Sequence, residues 1–207
     1  EYLVQGAEDF QRGMVFVRSK ESADNIYKFL KRKVVTDEEV RVIHANKGQN
    51  TRINAMEAFK EGKVRILIAT DVASRGIDVT QVSHVINFDV PLIYEDYVHR
   101  IGRTGRANQE GKAITFVTMA DEYHIAKIEK IIRLTIPRAP MPEAVEVPET
   151  PFEEKQEMLR EIDEQRKRED PDFKGAFHEK KNKKVVISKS QKKPSTPTKN
   201  KYSKRKK

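Results

Sequence analysis

The stretch Val64-Arg65-Ile66-Leu67-Ile68-Ala69-Thr70-Asp71 decides the architecture. Its apolar positions run on with little alternation, so the strand it predicts over 64–69 is buried on both faces. The same pattern recurs at Met14–Val17, at Val40–Ile43, at Val82–Phe88 (stopped by Pro91) and at Lys112–Thr118. Between these runs lie segments of helical period. Ala23, Ile26, Tyr27 and Leu30 share one face of a helix over 22–30. Ile53, Met56 and Phe59 form a stripe that ends at Gly62. Ile125, Ile128 and Ile132 face inward from a helix over 121–134. Strands alternating with helices over short loops imply an α/β fold, with a parallel sheet covered by helices on both faces. In such folds ligands gather at the carboxyl ends of the strands. The polar groups follow the strands in this way: Arg18-Ser19-Lys20 after the first, His44 after the second, Thr70-Asp71 after the third.

Composition narrows the chemistry. The 207 residues carry a formal charge of +9, which favours a polyanionic partner. No cysteine is present, which excludes disulfides and thiolate metal sites, and the five scattered histidines show no metal-ligand spacing. No apolar run approaches the roughly 18 residues of a membrane span, and the N-terminus lacks a secretory pattern. The expectation is a cytoplasmic protein without membrane contact. The chain opens on Glu1, which reads as a fragment or a processed product. Residues 1–138 are expected to form the folded domain, 139–151 a linker rich in Pro, Glu and Val, and 152–170 a charged helix whose few apolar positions are Met158, Leu159 and Ile162. Residues 171–207 are expected to be a disordered basic tail. Lys180–Lys207 holds thirteen basic residues and no acidic one, a composition suited to tethering nucleic acid by counterion release; a solubilising tail is the plainer reading.

Three motifs carry chemistry. Ala69-Thr70-Asp71-Val72-Ala73-Ser74-Arg75-Gly76-Ile77-Asp78 follows the buried strand. Thr70 offers a hydroxyl to phosphate, Asp71 suits a cap, Gly76 permits close backbone approach, and Asp78 can accept from a ribose hydroxyl or orient an arginine. The competing reading is an ordinary capped loop. Gln49-Asn50-Thr51-Arg52 opens a helix, where Arg52 sits behind free N–H groups that attract anions; a surface arginine is the alternative. His99-Arg100-Ile101-Gly102-Arg103-Thr104-Gly105-Arg106 packs three guanidiniums and an imidazole around two glycines. Arginine grips phosphate in a rigid fork, and Arg103 and Arg106 are three apart, able to converge on one phosphate cluster as arginine fingers do. The alternative is a solvated charged face. No Gly-x-x-x-x-Gly-Lys-Ser/Thr loop and no acidic strand end is present to hold a nucleotide with Mg²⁺. The motifs describe half of a composite site.

In this order the segments resemble the C-terminal RecA-like domain of DEAD-box ATP-dependent RNA helicases, over about residues 14–137. Met14-Val15-Phe16-Val17-Arg18-Ser19-Lys20 is similar to motif IV, and Gln49–Arg52 to the QxxR element. Ala69–Asp78 is similar to motif V, and His99–Arg106 to motif VI. Asn87–Pro91 and the basic tail are most similar to the bacterial RhlE-like group. The resemblance implies a RecA-like fold of the P-loop NTPase superfamily, and an N-terminal RecA-like partner domain that holds most of the ATP and Mg²⁺. It implies that Arg103 and Arg106 reach the γ-phosphate, Arg106 being the better candidate for the finger, and that Gly76 and Asp78 touch the ribose side of the nucleotide. His99 would couple ATP to RNA, and Arg18, Gly48, Arg52 and Thr70 would contact the RNA backbone. Arg75 would brace motif V. Single-stranded or duplex RNA, in some members ribosomal, would be the substrate, and this fragment alone would be inactive.

The sequence departs from the family before motif IV, where only Glu1–Gly13 stands in place of a strand, a helix and a loop. Tyr2-Leu3-Val4 reads as that first strand, and the shortening would open one sheet face. His44-Ala45-Asn46-Lys47-Gly48 departs mildly from the usual His-Gly start. Two other functions compete: a non-enzymatic RNA-binding module that uses the basic tail, and a helicase domain of a related DNA-acting family.

Overall fold

The computed structural model describes residues 9–33, 36, 38–74, 79, 82–105, 110–143, 145 and 148–175, all within the unit Glu1–Ala176. Five strands, β1 (Gly13–Val17), β2 (Val40–Ile43), β3 (Ile66–Thr70), β4 (His84–Asn87) and β5 (Lys112–Thr115), form one sheet in the order β2-β3-β1-β4-β5. Every pairing is parallel. The helices are α1 (Lys20–Lys33), α2 (Gln49–Lys60), α3 (Asp71–Ser74), α4 (Tyr94–Ile101), α5 (Glu122–Ile132) and α6 (Phe152–Glu169). The RecA-like α/β architecture expected from the sequence is the one observed.

Side-chain alternation divides the core between the two sheet faces. Met14 and Phe16 point to the face shared with Leu67, Ala69 and Val85, which α2 covers with Ala55 and Phe59 and α3 with Ala73. Val15 and Val17 point the other way, with Ile66, Ile68 and Ile86, under Ala23 and Leu30 of α1. A third apolar cluster joins Val90 and Tyr97 of the α4 region to Ile125 and Ile128 of α5. Among the described residues no helix is long and apolar enough to cross a membrane.

The differences from expectation are local. The strand expected to begin at Val64 begins at Ile66, because the Val64 amide instead donates to Ala58 O at the end of α2. The strand expected over 82–88 is ladder-paired only over His84–Asn87, and Val82 forms an isolated bridge to Thr104. The fifth strand stops at Thr115 rather than Thr118. On α2 the inward stripe is Ala55, Phe59 and part of Met56; Ile53 is 41 % exposed, so it does not belong to the stripe assigned from spacing. Tyr2–Val4 lies outside the described residues. β5 is half open, with Lys112 and Ala113 exposed.

His84 is buried at the amino end of β4, its ring 5.0 Å from the Phe10 ring and its Nδ1 3.1 Å from Ser83 Oγ. Burial pushes its pKa below the ordinary histidine value, against the opposing pull of Asp9. Its neutral form is the one the fold accommodates. Its contribution is therefore complete above the unfolded-state pKa of about 6.5 and is lost as pH falls through the lower folded value. Chemical denaturation between pH 7.5 and 5 is expected to show stability falling toward acid, with a shallower slope in His84→Phe; an unchanged slope would remove His84 as a cause.

Candidate nucleotide-facing site

All five strands are parallel, so their carboxyl ends open on one edge, and one side chain organises it. Arg100, on the inner face of α4, is 2 % exposed. Its Nε and Nη2 donate to the two Asp71 carboxylate oxygens at 2.6 and 2.7 Å, a bidentate pair at the β3–α3 junction. Nη1 donates to Asn87 Oδ1 at 3.2 Å and to Asp89 O at 2.7 Å, just past β4. The guanidinium carbon lies 5.2 Å from the Phe16 ring centroid on β1. Asn87 passes the connection outward, donating from Nδ2 to Thr115 Oγ1 at 3.1 Å. One arginine thus joins the ends of β1, β3 and β4 to the helix that carries the arginine run.

Arg100, to which the sequence reading gave no role of its own within the run, is taken up by the fold, and its partner is Asp71, read from the sequence as a cap. The signal lay in the helical stripe: Tyr94, Tyr97 and Ile101 turn inward, and Arg100, three residues beyond Tyr97, falls on the same face. With Arg100 fixed, His99 and Arg103 line an open cleft of about 220 Å³ together with Phe16, Asp71, Ser74, Asp96 and Arg100. The His99 side chain is 69 % exposed, with Nδ1 3.4 Å from Asp96 Oδ1.

The turn after α4 is pinned to the segment that leads into β4. Thr104 Oγ1 donates to Val82 O, and Val82 N donates to Arg103 O at 3.2 Å. Gly105 has φ +67, the left-handed region that favours glycine. Gly111 lies so close to this turn that a Cβ there would meet Thr104 Oγ1 at 2.0 Å and Gly105 N at 2.4 Å.

The other expected site residues are distributed along the same edge. Thr70 ends β3, half-buried. Gly48 precedes α2 as its N-cap, and a Cβ there would meet only Thr51 Oγ1, at 3.9 Å, so the fold itself does not require glycine. The loop before it is held by Asp24, whose carboxylate takes His44 Nε2 at 3.2 Å and Lys47 Nζ at 3.0 Å. Arg52 reaches toward α3, with Nη2 3.4 Å from Ala73 O, while its buried Nε has no hydrogen-bond partner among the described residues. Arg18 Nη2 donates to Val90 O at 3.0 Å and to Asp121 Oδ1 at 3.2 Å. The structure therefore gathers His99 and Arg103 in one cleft and places Arg18, Gly48, Arg52 and Thr70 outside it. Gly76, Asp78 and Arg106, as well as Arg75, lie outside the described residues. Among the described residues no group of three or more His, Asp or Glu could hold a metal ion.

A family profile described as "Helicase conserved C-terminal domain" matches residues 1–108. The chain is 46 % identical over 129 residues to the ATP-dependent RNA helicase DBP3 of Gibberella zeae, covering 62 % of this chain and 22 % of that protein. Among solved structures it is similar to the E. coli DEAD-box protein SrmB bound to regulator of ribonuclease activity A. The identity is 34 %, over 68 % of this chain and 87 % of that one, with a TM-score of 0.58. It is also similar to the C-terminal domain of the DEAD-box protein Dbp5, with 35 % identity over 59 % and 71 % of the two chains and a TM-score of 0.54. The chain spans only about a fifth of the length of the curated relatives it matches.

Gly111→Ala is expected to displace the turn that carries Arg103 and to lower unfolding free energy by about 1–3 kcal/mol, the usual cost of overpacking. Urea melts of the variant check this. Unchanged stability would mean that the Thr104–Gly111 approach is not held in solution.

Proposed function

The chain belongs to the helicase conserved C-terminal domain family, as the C-terminal RecA-like domain of a DEAD-box ATP-dependent RNA helicase, and on that premise we propose that it is the charge-stabilising half of a composite RNA-dependent ATPase. The observation that carries the reading is the division of labour within the arginine run: Arg100 on α4 is bound by Asp71, while His99 on α4 and Arg103 in the turn after it line an open cleft. An N-terminal RecA-like domain closes on this face and presents ATP. Water attacks the γ-phosphorus, the bond to the bridging oxygen of the β-phosphate breaks, and ADP and phosphate leave. Charge builds on the transferring group and the leaving oxygen, and the guanidiniums of Arg103 and Arg106 stabilise it. Gly76 and Asp78 contact the nucleotide beside them. His99 reports nucleotide closure to the RNA side. The Mg²⁺ expected with ATP is assigned to the nucleotide and the partner domain.

RNA lies along the β1–β3 side of the edge. Gly48 brings backbone amides close to a phosphate, Thr70 offers its hydroxyl, and Arg52 and Arg18 supply charge. Such contacts read the backbone rather than the bases, so substrate choice is set by shape and by the tail at 171–207. Closure bends one strand and opens a short duplex. We place this activity in the cytoplasm. Ribosomal RNA and an RhlE-like role belong to the same proposal, supported by the basic tail.

The test uses the protein with its N-terminal domain. Arg103→Ala is expected to lower RNA-stimulated ATP turnover by roughly 10³-fold or more, with ATP affinity changed little. This chain alone is expected to turn over no ATP. Normal turnover in Arg103→Ala would overturn the assignment. RNA binding indifferent to ATP in the longer protein would favour the non-enzymatic module, and stimulation by DNA in place of RNA the DNA-acting family.

A further inference from the structure

α6 lies beyond the region that the family profile matches, and its docking is polar at its centre. Gln165, the buried residue of α6, donates from Nε2 to Ala120 O at 3.1 Å, in the turn that leads into α5. Glu161 Oε1 stands 3.9 Å from His124 Nε2, and Lys127 Nζ 3.4 Å from Glu169 Oε1. His124 is buried on α5, and its Nδ1 lies 3.1 Å from the Tyr94 hydroxyl on the first turn of α4. The Tyr94 hydroxyl and His124 Nδ1 share a hydrogen bond, and the other ring nitrogen lies on the side of the Glu161 carboxylate. α6 therefore contacts α5 and the turn before it, at Ala120 and His124, and His124 in turn bonds to α4.

We infer that α6 is a strap, and that His124 is a positioning residue through which it sets the placement of α4. The helix is eight residues long and has no side-chain N-cap. Its carboxyl end is fixed by Arg100, and its amino end is fixed by Tyr94. His99 and Arg103 sit at the anchored end, and a shift at Tyr94 moves them about the Arg100 pivot. Beyond Tyr94, the titratable and charged groups that act on His124 are Asp121 at the start of α5, Tyr123 beside it, Arg18 past β1, and Glu161 and Arg168 on α6. Burial is the largest influence on the ring, holding it below the ordinary histidine value, with the α6 charges Glu161 and Arg168 acting on it in opposite directions.

The test uses this chain and two variants, Gln165→Leu, which takes the donor from Ala120 O, and the conservative Tyr94→Phe, which takes the hydroxyl from His124. Hydrogen exchange of the α4 amides is expected to quicken roughly 2- to 30-fold in either variant, with α2 unchanged. The double variant should match the larger single effect, because α6 reaches α4 only by way of α5, which Gln165 holds at Ala120 and Tyr94 holds at His124. By NMR the His124 ring should titrate closer to its ordinary value in both. Unaltered α4 exchange, effects that add in the double variant, or an unmoved His124 titration would each overturn the inference. Its functional consequence rests on the ATPase reading: in the two-domain protein, Tyr94→Phe should lower kcat with ATP KM little changed. If the wild-type two-domain protein fails to turn over ATP, that reading fails, while α4 exchange still decides the strap.

Discussion

The Arg100 guanidinium closes the carboxyl ends of three strands at once. Asp71 neutralises it, Asn87 and Asp89 accept its remaining protons, and Phe16 covers its face. A charge this deeply buried is tolerated only when nearly every donor is met, and removing one partner of such a pair commonly costs about 3–5 kcal/mol. The rest of the site depends on this arrangement. It fixes the roll of α4, which sets the side on which His99 and Arg103 emerge. It also ties the start of α3, where the Ala69–Asp78 motif begins, to the helix of the arginine run. Coupling between the two motifs is therefore built into one side chain.

The arginine run consequently divides. A cluster of like charges needs counter-charge, and part of that charge is inside the molecule. Arg103 lines the cleft, and Arg106 follows it in sequence. Glycine serves this division at two points: Gly105 takes the left-handed backbone that turns the chain, and Gly111 lets the next strand approach within contact of Thr104. Gly48 differs, since a side chain would fit there without a clash.

The strands were legible because doubly covered parallel strands are apolar runs, and Val15, Val42 and Ile68 read that way. Their ends were less so: Val64 and Val82 are as buried as ladder residues but bond outside the ladder, a choice that periodicity does not carry. Ile53 misled for the opposite reason, keeping the right spacing one residue off the buried face. Within the site, residue types and order pointed to phosphate chemistry at the strand ends. The internal role of Arg100 was not legible from charge density, because its partner Asp71 is 29 residues away and only the fold brings them together. The same holds for Gln165, a polar residue on a charged helix whose burial depends on a carbonyl 45 residues earlier.

The central claim is that Arg100 is held by the fold whereas Arg103 faces a ligand. It is tested most directly by the unfolding free energies of Arg100→Met and Arg103→Met, measured side by side on this chain. The account predicts a loss of about 3–5 kcal/mol for Arg100→Met, as for a broken buried pair, and a clearly smaller loss for Arg103→Met, which is only half-buried and lines the open cleft. Equal losses in the two variants, or a larger loss for Arg103→Met, would contradict it.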